Sequence, residues 1–338
     1  MSTWLTKKEK RTPFVVFEAN RLYWNSERGP RLGKVVFRND LSPQKALDLC
    51  INTEGQVDLV TNVSSSDAPK VTNSAFAKLV VTKGNSIVIG QFNRFQRDIN
   101  FDNISLRLAI NFAVKREDII NQVYHGYADL IPALTPPYAL DFPEGLCPRT
   151  YDPNLARQLL KEANWPKGRI LRIAATSEYE KLARVVAWQV QQTLQIGTEV
   201  MLISAAERIK WLTVVAEKKL IPTWDILITD AVAFFFEATP AFLHREFFGA
   251  DGALRTGPKL PEFDSLFQRM AVQTNEKLRN QAAKEIDRYV YEEALGLFLF
   301  APQKLYAVNK HVNFVPYRTT FELAETYVGS KHWSLSNI

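Results

Sequence analysis

The stretch that decides the fold runs from Ile104 to Trp165: ISLRLAINFAVKREDIINQVYHGYADLIPALTPPYALDFPEGLCPRTYDPNLARQLLKEANW. Leu106, Ala109, Ile110 and Ala113 recur at the three- and four-residue spacing that lays an apolar face along a helix. Ile119, Ile120 and Val123 repeat the pattern and stop at Gly126, a residue type that accepts the left-handed turn at a helix end. A Pro-rich loop follows. A third helix opens at Asp152, whose carboxylate can accept from the free N–H groups of the first turn, while Pro153 takes the first helical position without wasting a donor. Leu155, Ala156, Leu159, Leu160 and Ala163 form its apolar stripe, and Asn164 supplies a left-handed stop.

Before this stretch, Phe14 to Glu18 and Lys34 to Arg38 read as short strands around a polar loop. Ser42 and Pro43 open a helix that carries Ala46, Leu47 and Cys50 inward. Leu59 to Val63, Leu79 to Val81 and Ile87 to Phe92 read as strands. After it, Ile170 to Ala174 is a strand and Tyr179 to Leu194 a helix closed by Gly197. Val200 to Ile203 is the next strand, Ile209 to Glu217 a helix and Ile226 to Ile228 a buried strand. Helices over Phe263 to Met270 and Leu278 to Glu293 precede strands at Leu297 to Ala301 and Leu305 to Val308. Strands alternating with helices favour a parallel sheet covered by helices.

The 338 residues suffice for two domains, and 46% hydrophobic with 23% charged residues is the balance of an ordinary globular protein. No window reaches the apolar length of a membrane span. The opening MSTWLTKKEKRTPF lacks an apolar core after its charges, which predicts a cytoplasmic protein unless a leader has been removed. Cys50 and Cys147 are too few for a disulfide framework and fit the same compartment. The net charge of +6 gathers only at Lys7, Lys8, Lys10 and Arg11, a solvated arm rather than a nucleic-acid surface.

The order of residues says more than their periodicity. Arg107, Ala109, Asn111, Ala113, Gly126, Tyr151, Asp152, Pro153, Ala156, Leu159, Leu160, Ala163 and Trp165 resemble the middle of the family 5 extracellular solute-binding proteins. These are the peptide- and nickel-binding subunits of ABC importers. Asn20, Tyr23 and Trp24 match that family's Asn-x-x-Tyr-Trp, and Gly55 with Asp58 its Gly-x-x-Asp. The resemblance implies an α/β, type II periplasmic-binding-protein-like fold with one complete lobe, residues 94–300. A second lobe, 1–93 with 301–338, would be incomplete, lacking its N-terminal strands. Unpaired strand edges and an uncovered apolar face there predict a protein partner or self-association.

In this architecture a ligand sits between the lobes, and the resemblance makes Asn93, Trp224, Asp230, Phe234, Phe235 and Phe236 the cleft candidates. Peptide binders of the family place an aspartate in a run after a lobe-two strand. Matching Ala233 and Glu237 to that run puts Phe234 at the acid's position, with Asp230 four residues earlier. An ammonium facing Phe234 keeps at best a cation–π contact. The Phe triplet reads either as an aromatic wall for a small apolar ligand or as packing.

Catalytic signals are absent. Ser42-Pro-Gln-Lys45 has the Ser-x-x-Lys spacing, and Arg255-Thr-Gly257 echoes a Lys-Thr-Gly, but Ser42 is explained as a helix cap. His125, His244, His311 and His332 lack ligand spacing, and no phosphate loop or nucleophile elbow occurs. The expectation is a non-enzymatic protein without cofactor or metal. It would act as a docking subunit of solute-binding-protein type or, alternatively, as the peptide- or small-solute-binding subunit of an ABC importer.

Overall fold

Alternating β-branched and aromatic residues fold Phe14–Glu18 (β1) and Lys34–Arg38 (β2) into an antiparallel ribbon, with Phe14 opposite Arg38 and Glu18 opposite Lys34. The computed structural model describes residues 13–96, 98–136, 139, 141–204, 206, 207, 210, 214, 217, 222–232 and 241–335. It divides into two units, Met1–Lys83 with Gln303–Ile338, and Gly84–Pro302.

In the first unit the ribbon is followed by helix α1 (Pro43–Asn52), where Ser42 Oγ accepts from Lys45 N at 3.3 Å as the cap reading expects. Leu47, Cys50 and Ile51 are its buried face, and burial pushes the Cys50 thiol up to about 12. Then come β3 (Leu59–Val60), α2 (Ala68–Thr72) and β4 (Ala77–Thr82). Strand β3 is shorter than the expected run to Val63, although Val63 N still donates to Leu305 O at 3.0 Å.

The second unit is one unbroken stretch of chain. It contains β5 (Ser86–Phe92), α3 (Ile104–Ala113), α4 (Arg116–Tyr124), β6 (Ala128–Leu130), α5 (Pro153–Glu162), β7 (Leu171–Thr176), α6 (Glu180–Leu194) and β8 (Thr198–Ile203). After β9 (Ile226–Val232) follow α7 (Phe242–Phe248), α8 (Pro261–Ala271), α9 (Glu276–Glu292) and β10 (Gly296–Pro302). The sheet runs β6-β10-β5-β9-β7-β8. Strands β7, β8 and β9 are parallel, as the strand–helix alternation predicts, but β5, β10 and β6 join antiparallel, so the sheet is mixed. Period-two alternation sorts the side chains. Val88 and Leu297 face α3 to α6, whereas Ile87, Ile89 and Phe298 face α7 to α9.

The cap of α5 matches the sequence reading, with Asp152 Oδ1 accepting from Asn154 N and Leu155 N at 3.0 Å and Asn164 left-handed at φ 54°. Gly197 does not close α6. Gln195 takes the left-handed turn at φ 57° instead, and Gly197 is needed for close approach, since a Cβ there would lie 3.2 Å from Ile170 Cγ1. The helix expected at Ile209 to Glu217 lies largely outside the described residues.

Two arginines knit the layers without a carboxylate doing most of the work. Arg107 donates to the carbonyls of Phe101, Asp102 and Glu293. Arg116, 2% exposed, donates to Phe298 O at 2.6 Å, Asn111 O, Val114 O and Arg149 O, and to Asn111 Oδ1 at 2.8 Å. Asn111 and Val114 close α3, whose C-terminal partial negative charge offsets part of the buried cation. Burial still pulls both guanidinium groups down to about 10.

The chain returns to the first unit as β11 (Lys304–Asn309), which inserts between β3 and β4, and as the pair β12 (Val312–Asn313) and β13 (Tyr327–Val328). Asp58 Oδ1 accepts from Asn309 Nδ2 at 3.1 Å and Trp333 Nε1 at 2.9 Å, and lies 3.1 Å from His332 Nε2. Gly55, at φ +81°, lets the Trp333 ring come within 3.5 Å of where a Cβ would stand. The Gly-x-x-Asp motif therefore fastens the last turn of chain to the start of β3. Among the described residues no helix is long and apolar enough to cross a membrane.

Candidate ligand-binding site

Sheets with parallel strands present ligands at the carboxyl ends of those strands, where loops diverge and backbone polarity is open. In the second unit that edge is formed by the turn Ser177–Tyr179 after β7, the end of β8 and the end of β9, with Ser86 contributed by antiparallel β5. Asp230 pairs with Val88 and shares its face, so its carboxylate turns toward the α4 and α6 layer. Ser86 Oγ donates to Asp230 Oδ2 at 3.3 Å, and the Tyr179 hydroxyl lies in the electrostatic reach of the same carboxylate. Tyr124 packs its ring against Phe300, the centroids 4.7 Å apart, and feels the Asp230 charge.

Burial, joined by the nearby carboxylates of Asp230 and Glu178, raises both phenols well above their ordinary value. Both therefore stay neutral hydrogen-bond donors at physiological pH. Asp230 is half-buried and Glu178 exposed. The arrangement offers carboxylate oxygens near two neutral phenols, a setting for an ammonium or a neutral donor rather than for an anion.

The remaining sequence candidates sit elsewhere. Asn93 is 1% exposed, and its Nδ2 donates to Trp224 O at 2.8 Å and Pro222 O at 3.4 Å. Trp224 is buried against Ala174 and Leu227. Both lie at the amino end of β9, and a strand of this length, at ~3.3 Å per residue, puts roughly 20 Å between them and its far end. Next to them, fully buried Asp225 accepts from Arg169 Nη2 and Arg172 Nη2, each at 2.9 Å, and from Arg172 N at 2.7 Å. Phe234, Phe235 and Phe236 lie outside the described residues. Sequence reasoning overlooked Ser86 and Tyr124, and it saw Tyr179 only as a helix-face residue. A tyrosine directly after a strand was the available signal.

Among the described residues no catalytic grouping emerges. Ser42 serves α1, and the 2.6 Å contact of His244 Nε2 with Asp287 Oδ1 is buried between α7 and α9. Among the described residues no group of three or more His, Cys, Asp or Glu side chains is placed to hold a metal ion.

The family model described as bacterial extracellular solute-binding proteins, family 5 middle, matches residues 6–250. The chain belongs to this family. Among its relatives, the glutathione-binding protein GsiB of Pectobacterium atrosepticum is 35% identical over 101 residues, 30% of this chain and 19% of GsiB. Among solved structures, the ABC transporter substrate-binding protein CtaP of Listeria monocytogenes superposes with a TM-score of 0.81 at 18% identity, covering 95% of this chain and 65% of CtaP. The oligopeptide-binding protein AppA of Bacillus subtilis, solved with a nonapeptide, gives 0.70 at 18% identity and covers 96% and 65%.

These likenesses show the type II periplasmic-binding-protein-like fold. The chain spans less than two thirds of the length of these proteins. They favour the solute-binding expectation over the docking-module one, and a family described as extracellular gives no support to the cytoplasmic placement.

Proposed function

We propose that the chain is the solute-binding subunit of an ABC importer and captures a peptide or a similarly small amine-bearing solute without chemical change. The observation that carries this reading is the Asp230 grouping at the carboxyl ends of β7 and β9, in a chain of family 5. Asp230 receives the ligand's ammonium, Ser86 holds the carboxylate in place, and Tyr124 and Tyr179 stay neutral donors beside it. The relatives' ligands, a glutathione and a nonapeptide, are what their names and structure record, and both carry a free amine of the kind Asp230 accepts.

Titration calorimetry with glutathione and with tri-alanine tests the reading. Micromolar binding of one of them is expected, weakened about ten- to a hundredfold in Asp230→Asn, since a charge-assisted hydrogen bond contributes about 1.5–3 kcal/mol. If neither binds and a dipeptide library leaves the melting temperature unmoved, the reading fails.

A further inference from the structure

The cations nearest in sequence to the Asp230 grouping are already engaged. On α6, Arg184 Nη2 pairs with Glu180 Oε1 at 2.7 Å, and Lys181 Nζ donates to the Gln122 carbonyl of α4 at 3.3 Å. Asp230 and Glu178 have no such relief. Asp230 keeps only the neutral Ser86 hydroxyl on its carboxylate, and among the described residues no lysine, arginine or histidine forms an ion pair with either acid.

Strand register brings these two carboxylates to one corner of the sheet. Parallel β7 and β9 align Ile173 with Ile226, Ala174 with Leu227 and Ala175 with Ile228. Carried two residues further, the same register sets Ser177, at the start of the turn, beside Asp230, and Glu178 is the next residue. Neighbouring strands lie ~4.8 Å apart, so both charges stand within the length of one small solute. The phenols report the same proximity. After burial, Glu178 is the larger influence on Tyr124 and Asp230 the larger on Tyr179, so each ring is within reach of both acids. Two like charges so placed disfavour one another, and a single ammonium offsets only one of them.

Building on the solute-binding reading above, we propose that Glu178 selects the ligand by charge, so that the site takes a solute with two cationic nitrogens, one for Asp230 and one for Glu178. A peptide that begins with Lys or Arg meets this chemistry, because its α-ammonium and side-chain cation travel together. An aliphatic diamine meets it as well. Glu178 is exposed where Asp230 is half-buried, so solvent and salt screen its attraction. It therefore adds selectivity, while Asp230 supplies most of the affinity. Glutathione, with one ammonium and two carboxylates, is disfavoured by the second acid.

Titration calorimetry with Lys-Ala-Ala, tri-alanine, glutathione and cadaverine tests this. Lys-Ala-Ala should bind about fivefold tighter than tri-alanine in low salt, and the ratio should fall toward one as salt is raised to about 0.5 M. Glu178→Gln, a change of an exposed side chain, should bring the two tripeptides to equal affinity. Glu180→Gln, which removes a carboxylate already paired with Arg184, should keep the lysine preference. Cadaverine separates the two sources: binding tighter than Lys-Ala-Ala assigns the dication to a diamine, and weaker binding assigns it to a basic peptide. Equal affinity for Lys-Ala-Ala and tri-alanine in the unaltered protein overturns the inference, and so does a lysine preference that survives Glu178→Gln. Both results leave the solute-binding reading standing, as does binding of glutathione alone, which also overturns the inference. If no probe binds, the inference falls together with the reading on which it rests.

Discussion

Arg116 gathers five acceptors from four residues of the second unit, and none of them is a carboxylate. Arg116→Met would leave those carbonyls buried without donors, at a cost of about 3–5 kcal/mol by urea denaturation. Lysine, with three donors on a point charge, should recover little of it. Sequence reading picked Arg107 and Asn111 as family letters and passed over Arg116, because the acceptors come from residues such as Phe298 that only the fold brings near. Asp141 makes the complementary case. Burial raises its carboxyl above the ordinary range, Asp287 adds to that, and His244 partly offsets it. A folded-state value above the unfolded one means that the protonated form stabilises the fold at low pH and that this contribution is lost as pH rises. Asp141→Asn should therefore raise the melting temperature at pH 7, and the difference should close near pH 4, where the unfolded carboxyl titrates. A constant offset from pH 4 to 8 would refute this account.

Elements whose boundaries depend on local chemistry were readable from the chain. The start of α5 is an example, because Asp152 and Pro153 act on backbone groups within three residues of themselves. Asp152→Ala should cost about 1 kcal/mol, and Asp152→Asn should restore most of it, measured as a shift in the urea midpoint. The end of α6 was misread because Gly197 serves packing against Ile170 rather than the helix turn, a distinction that spacing does not carry. Strands were legible as strands, but not their direction. The antiparallel joining of β5 and β10 is set by where distant segments meet, and the cleft candidates Asn93 and Trp224 consequently fall at the opposite end of β9 from Asp230.

At the scale of the molecule, the second unit is contiguous from Gly84 to Pro302, holds both large apolar cores and supplies the acceptors of its buried Arg107 and Arg116 from within itself. A fragment of those residues should express as a soluble protein with one cooperative melting transition, and a fragment without near-ultraviolet dichroism would contradict that. The first unit has no such independence, because β11 lies between β3 and β4 and Asp58 holds Trp333 from the far end of the chain. That arrangement has a consequence in time. Residues 13–82 leave the ribosome roughly 220 residues before β11 does, a wait of about 10–40 s at ~5–20 residues per second. Throughout that interval the second unit can fold while β3 and β4 have no central strand between them. The Phe14–Phe17 run is exposed from its emergence onward and stays so in the folded chain, and it is there that a nascent-chain chaperone would first be needed.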